Sequence, residues 1–367
     1  MRSPDSASAD ADPYGGGPDD RDDETRGGTA DALDDDRILA LELVRATEAA
    51  AMAAARLLGR GNAEEVDGAA VDAIRPVLGT IPMRGVIVIG EGANDDTPML
   101  YAGEHVGSGR GPLVDIAVDP VDGAGLTAKS LPNAMSLIAL ADRGAMYDPG
   151  PCLYMDKLVI GPDLVDGVDF AAPIEDTLAT IARVRGENVE DVTVALLDRP
   201  RHAELVSRIR AVGARIQLLI DGDLAGSLMA VQPESEVDLL VGIGGSPEGV
   251  IAACAIRSLG GAIYGRLYAR NDAEKRQARQ LGHSLERVLC TTDLVRGNNA
   301  YFVATGITDG EVLRGVRFSQ DQAITQSLSM RSSSGAVRTI ETRHRLSTST
   351  LVPSIRSQSP ARGALPR

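Results

Sequence analysis

The run Leu113-Val-Asp-Ile-Ala-Val-Asp-Pro-Val-Asp-Gly123 decides the fold. Leu113–Val118 reads as a short buried strand, because its apolar residues continue without helical spacing and stop at Asp119 and Pro120. Two acids, Asp119 and Asp122, follow it directly. Upstream, Gly85-Val-Ile-Val-Ile-Gly90 has the same character and leads into Gly90-Glu-Gly-Ala-Asn-Asp-Asp96, so Glu91 also follows a buried strand. Downstream, Met135–Ala141 is a third such run. In open α/β sheets the carboxyl ends of strands are where ligands collect, and here two strand ends carry carboxylates to one edge. Asp115, inside its strand, reads as structural.

Outward from this centre, helical spacing over Arg37–Gly59 (Ile38, Leu41, Val44, then Leu57 and Leu58) predicts a helix ended by Gly59, and Ala63–Leu78 a second. The second half alternates. Strands at Val192–Leu197, Arg215–Ile220 and Val237–Ile243 are separated by helices at His202–Val212 and Leu224–Val231, a pattern that predicts a mainly parallel sheet. A strand pair at Ala262–Tyr268 and Tyr301–Thr305 and short strands at Ser327–Met330 and Val337–Ile340 complete the reading. The class is α/β. The chain divides near residue 190 into an N-terminal α/β domain, 37–190, and a C-terminal one, 191–346.

Composition supports a globular enzyme with two tails. Of 367 residues 43% are hydrophobic, enough for a sizeable core, while aromatics are only 3%, so that core is built from Leu, Ile, Val and Ala. The net charge of −15 resides mostly at one end, since residues 1–36 hold twelve acids against three arginines. That segment has almost no large apolar side chain and reads as a disordered acidic extension. Residues 347–367, rich in Ser, Pro and Arg, read as a disordered tail. No basic stripe suggests nucleic acid. Cys152, Cys254 and Cys290 stand far apart, as free thiols in a reducing compartment do. No signal peptide or membrane-length apolar run is present, so the expectation is a soluble cytoplasmic protein.

The acids define the chemistry. Any one of them could be a solvated turn or a helix cap, but hard oxygen donors on adjacent strand ends, in loops stiffened by Pro and Gly, suit Mg²⁺ or Mn²⁺ sharing coordination with a phosphate. Gly244-Gly-Ser-Pro-Glu-Gly249 follows the strand Val237–Ile243 and opens a helix at Val250–Leu259. Its glycines allow close backbone approach and its helix start favours anions, although Glu248 equally suits the helix dipole. Arg199-Pro-Arg201-His202 and Asp221-Gly-Asp223 also follow strands. Guanidinium groups there suit phosphate, and the acidic turn suits sugar hydroxyls, with surface salt bridges as the plainer reading of both. No lysine-bearing phosphate loop and no nucleophile triad is present. These residues predict metal-assisted phosphate hydrolysis.

With these segments in view, the chain resembles the class II fructose-1,6-bisphosphatases of bacteria over roughly residues 37–345. The likeness lies in Asp67-Gly-Ala-Ala, Ile87-Val-Ile-Gly-Glu-Gly, Pro98-Met-Leu-Tyr-Ala-Gly-Glu104, Val114-Asp-Ile-Ala-Val-Asp-Pro120 and Tyr154-Met-Asp-Lys-Leu158. It continues in Pro200-Arg-His202, Asp221-Gly-Asp223, Ser235-Glu-Val-Asp238 and Gly242-Ile-Gly-Gly-Ser-Pro-Glu-Gly249. The resemblance implies the alternating helix and sheet layers of the lithium-sensitive sugar phosphatases, in two domains. It implies hydrolysis of the 1-phosphate of fructose 1,6-bisphosphate in gluconeogenesis, with Mn²⁺ or Mg²⁺, often in a homo-oligomer. Position by position, it implies Asp67, Glu91, Asp119, Asp122 and Glu248 as metal ligands, and Asp95 and Asp122 as catalytic. Substrate-binding positions would be Asp122, Gly123, Ala124, Tyr154, Arg199, Pro200, Arg201, Asp221, Gly222, Asp223 and Gly245.

The departures from the family pattern lie near the chemistry. Asp119-Pro-Val-Asp-Gly-Ala124 replaces the usual Asp-Pro-Ile-Glu-Gly-Thr, so Asp122 is a ligand shortened by one methylene and Ala124 lacks the hydroxyl that the family uses to orient the attacking water. Ala63 and Ala93 stand where a lysine and a glutamate are common, and Arg199 where a lysine is. The sequence therefore leaves two alternatives beside the fructose bisphosphatase: a related bisphosphatase acting on sedoheptulose 1,7-bisphosphate, or a catalytically impaired paralogue that binds sugar phosphate.

Overall fold

The computed structural model describes residues 28–91 and 100–346, with side chains from Leu39 onward. Two mixed sheets organise these residues. The first contains β1 (Arg84–Ile89), β2 (His105–Val106), β3 (Leu113–Asp122) and β4 (Met135–Asp142), joined late in the chain by β11 (Ala300–Gly306), β12 (Arg317–Ser319), β13 (Gln322–Arg331) and β14 (Ala336–Arg345). The second contains β5 (Tyr154–Ile160), β6 (Thr193–Leu197), β7 (Arg215–Leu219), β8 (Leu239–Gly245), β9 (Ala262–Tyr268) and β10 (Leu289–Cys290), in the order β10-β9-β5-β8-β6-β7. Chain order and sheet membership therefore interleave. The long helices are α1 (Gly28–Ala55), α2 (Ala63–Leu78), α4 (Ile174–Arg185), α5 (Ala203–Ala211), α7 (Ser246–Leu259) and α8 (Asp272–Gln280), with short turns α3 (Ala124–Lys129), α6 (Leu224–Met229) and α9 (Thr291–Leu294) between them.

Alternation along the central strands produces the layers. On β4, Ile138 and Leu140 join the core under α1 and α2, whereas Leu137, Ala139 and Ala141 join a core containing α6 and α7. On β5, Met155 and Val159 reach that same middle core, and Leu158 and Ile160 pack with α4 and α5. A residue step of two is what sends neighbours to opposite faces. Helices thus lie outside each sheet and α7 lies between them, which is the expected alternation of layers. The buried face of α2 is Val66, Ala70, Val71, Ile74 and Leu78, spaced by helical turns, and Asn62 caps its first turn by accepting the Glu65 amide at 3.2 Å. Each fully buried Ile or Leu in such a face contributes about 1.5–3 kcal/mol.

Several expectations are corrected. The second sheet is mixed, not mainly parallel: β6 runs parallel to β7 and β8, but β5 is antiparallel to both β8 and β9. Ala262–Tyr268 and Tyr301–Thr305 do not pair, since β9 belongs to the second sheet and β11 to the first. The short strands expected at 327–330 and 337–340 are halves of one long hairpin, β13 with β14. The strand β3 does not stop at Val118 but runs on to Asp122. Pro120 has no N–H to give the ladder, and pairing with β4 shifts register between Asp119 and Asp122. The helix expected over Arg37–Gly59 spans Gly28–Ala55. Cys152 and Cys254 are buried free thiols and Cys290 is a half-buried one. Among the described residues no helix is long and apolar enough to cross a membrane.

Candidate active site

Strand direction assembles the site. Because β1 and β3 are parallel, Glu91 and the pair Asp119 and Asp122 emerge at the same edge. Because β6, β7 and β8 are parallel, Arg199 and Arg201, then Asp221 and Asp223, then Glu248 emerge together as well. The antiparallel β5 brings its first residue to that edge, where Tyr154 pairs with Gly245. Asp67 comes from α2, which packs on β3 and α3.

The five expected metal ligands form one electrostatic cluster. Burial pushes Asp119 well above the usual carboxylate range, and the charges of Asp122, Glu91, Glu248 and Asp67 push it further. Asp122 is raised likewise by burial and then by Glu248, Asp223 and Asp221, against the lowering influence of Lys157. Burial and then Glu91 hold Asp67 up to about 7. Desolvation raises Glu91, and Glu248 is raised by burial and then by Asp223. Mutual repulsion on this scale marks acids gathered without enough compensating charge.

Two of these acids leave oxygens orphaned. Asp122 Oδ2 and Glu248 Oε2 are buried and have no hydrogen-bond partner, which is costly unless something else satisfies them. Hard oxygen donors of this kind fit a divalent cation. Among the described residues, no three acid, histidine or cysteine side chains close into a coordination shell. Glycines let the loops come close: a Cβ on Gly222, whose φ is +65°, would stand 2.6 Å from Asp122 Oδ1, and one on Gly245 would stand 1.7 Å from Glu248 Oε2.

Beside the acids lies a cavity of about 320 Å³ lined by Tyr154, Arg199, Arg201, Asp221, Gly222, Asp223, Gly245 and Glu248. Its arginines are tied in place. Arg199 donates to Asp221 at 2.8 Å and to the Ile220 carbonyl at 2.6 Å. Arg201 donates twice to the Ile243 carbonyl, at 3.1 and 2.7 Å, and lies 5.2 Å from the Tyr154 ring centre. Pro200 opens the turn between the two arginines and does not line the cavity.

Comparison with known proteins settles the family. The model of "Bacterial fructose-1,6-bisphosphatase, glpX-encoded" matches residues 37–344. The chain belongs to this family, the class II fructose-1,6-bisphosphatases. Among its relatives, fructose-1,6-bisphosphatase 1 class 2 of Escherichia coli strain K12 is 41% identical over 323 residues, covering 84% of this chain and 96% of the relative. Fructose-1,6-bisphosphatase class 2 of Escherichia coli O6:H1 and that of Shigella flexneri match at the same identity and coverage. Class II fructose-1,6-bisphosphatases are metal-dependent.

Against the class II pattern, Asp122 sits within the acid cluster despite its shorter side chain. Ala124 is the first residue of α3, after Gly123 in a left-handed conformation at φ 88°. Thr127 does not replace the missing hydroxyl, because it is fully buried and its Oγ1 turns back to the Gly123 carbonyl at 3.5 Å. Asp95 and Ala93 lie outside the described residues. His202 is structural: its Nδ1 donates to the Leu197 carbonyl at 2.8 Å, its Nε2 accepts the Ile243 amide at 2.8 Å, and burial lowers its pKa. Sequence reading by residue type missed Lys157, a fully buried lysine beside the cavity. The signal was present, since Tyr154-Met-Asp-Lys-Leu-Val-Ile160 places one cation inside an apolar run.

Proposed function

We propose that this chain hydrolyses the 1-phosphate of fructose 1,6-bisphosphate, giving fructose 6-phosphate and phosphate in gluconeogenesis, with Mn²⁺ or Mg²⁺ as its cation. Asp67, Glu91, Asp119, Asp122 and Glu248 would hold the metal. The observation that carries the reading is the cluster of mutually repelling acids with buried, unpartnered oxygens on Asp122 and Glu248, next to a cavity that presents two arginines. When bound, such cations neutralise phosphate charge and acidify a water for attack.

The chain's own residues do the rest. Arg199 and Arg201 attract and orient the phosphate that is not cleaved, since a planar guanidinium offers paired donors. Asp221 and Asp223 accept hydrogen bonds from sugar hydroxyls, Tyr154 presents a ring to the sugar, and Gly222 and Gly245 keep the loops close to it. Gly123 and Ala124 border the reacting phosphate. Asp95 and Asp122 carry the proton transfers. In this division residues 37–190 hold most of the metal ligands and residues 191–346 most of the substrate loops. The reading extends, on family likeness, to a cytoplasmic homo-oligomer.

The test is phosphate release from fructose 1,6-bisphosphate with Mn²⁺ or Mg²⁺, run beside a Glu91→Ala control. Turnover well above that control is expected, with preference for fructose 1,6-bisphosphate over sedoheptulose 1,7-bisphosphate. Turnover equal to the control would sink the proposal.

A further inference from the structure

Lys157 shares a face of β5 with Met155 and Val159, which belong to the middle core, and its own side chain is fully buried. Lysine is almost never buried unless paired. Here the ammonium forms an ion pair with Asp223 Oδ2 at 2.5 Å and donates to the Gly245 carbonyl at 2.9 Å. Both partners line the cavity that holds Tyr154 and the two arginines. Gly244 makes the contact possible, because a Cβ there would stand 1.7 Å from Asp223 Oδ2 and 3.1 Å from Lys157 Nζ. Asp223 keeps its other oxygen, Oδ1, buried and without a hydrogen-bond partner. Lys157 therefore holds one oxygen of Asp223, and the second stays buried beside the cavity with no hydrogen-bond partner of its own.

We propose that Lys157 is a positioning residue, which fixes Asp223 and the Gly245 carbonyl for recognition of the sugar without touching the substrate. The inference rests on the phosphatase reading given above. A flexible side chain such as Asp223 has to be held in one rotamer if its hydrogen bond to a hydroxyl is to be made without loss of entropy on binding. Lys157 also sets its charge against Asp122 and Glu248, so its loss makes the acid cluster more negative. Sugar binding should then weaken while cation binding holds or strengthens. A purely structural lysine would weaken both together.

The experiment compares full-length wild type, Lys157→Gln and Lys157→Arg by kinetics on fructose 1,6-bisphosphate, by thermal melting, and by calorimetric titration with Mn²⁺ alone and with fructose 6-phosphate. For Lys157→Gln, KM should rise about tenfold or more and fructose 6-phosphate binding weaken by a similar factor, while kcat and Mn²⁺ binding stay within about threefold or Mn²⁺ binds more tightly. Lys157→Arg keeps the charge but not the compact ammonium, and a rise in KM of about threefold is expected. If Lys157→Gln does not fold, Lys157→Arg decides, and an unchanged KM overturns the inference. It is equally overturned if Lys157→Gln binds fructose 6-phosphate as wild type does, or loses sugar binding, metal binding and thermal stability together. A wild type that shows no turnover sinks the phosphatase reading, and Lys157 is then judged by fructose 6-phosphate binding.

Discussion

The acid cluster and the arginine-lined cavity adjoin each other, yet they are built on opposite principles. In the cavity the arginines and the acidic turn are each held by a partner: Arg199 by Asp221, Arg201 by the Ile243 carbonyl, Asp223 by Lys157. In the cluster the groups repel one another, and buried oxygens on Asp122 and Glu248 have no partner. The first arrangement is preorganised for a ligand of defined shape. The second is stabilised by a cation, and proteins leave like charges together chiefly where function requires it.

This contrast can be broken by substitutions that separate turnover from affinity. The largest effect belongs to the cluster: Glu91→Ala should lower kcat by about 10³-fold or more while the protein stays folded, since a lost ligand misplaces charge at the transition state. Steady-state kinetics and circular dichroism check this together. In the cavity, Arg201→Ala should act on affinity, raising KM about 10- to 100-fold, because a hydrogen bond to a charged group contributes about 1.5–3 kcal/mol. A fall in kcat with KM unchanged would erase the distinction between the two regions.

Smaller effects sharpen it. At the border, Ala124→Thr should raise kcat about tenfold, part of the 10²–10³ that one positioned donor can supply. No gain in kcat would mean that water is oriented by other groups. The smallest effect concerns pH. Asp67 is held up to about 7 in the folded protein against 3.8 ordinarily, so the native state binds more protons than the unfolded one between those values. Stability of the chelator-treated protein should therefore fall as pH rises from about 4 to 7 and level off above. Urea denaturation at pH 5 and 7.5 should show this difference, and Asp67→Asn should reduce it. Equal slopes in wild type and variant would assign the dependence elsewhere.

Legibility in the sequence followed the same division. Carboxylates after β1 and at the end of β3 were visible because buried parallel strands end in recognisable Gly and Pro turns, and parallel neighbours deliver their ends to one edge. Tyr154 was not, because it begins a strand, and only the antiparallel pairing of β5 with β8 brings a strand's first residue to that edge. The mixed order of the second sheet and the separation of β9 from β11 depend on pairing between distant segments, which local pattern does not encode. Asp67 sits on a helix, where spacing alone suggests a solvated face, and only the family likeness pointed to it. Lys157 was hidden by the habit of reading lysine as exposed.

The most direct test of the account strips the protein with a chelator and titrates Mn²⁺ back while phosphate release from fructose 1,6-bisphosphate is followed. The account predicts negligible turnover in the stripped protein and a saturable rise with Mn²⁺ that Glu91→Ala abolishes. Turnover that persists undiminished in chelator, or that never appears at any Mn²⁺ concentration, would contradict it.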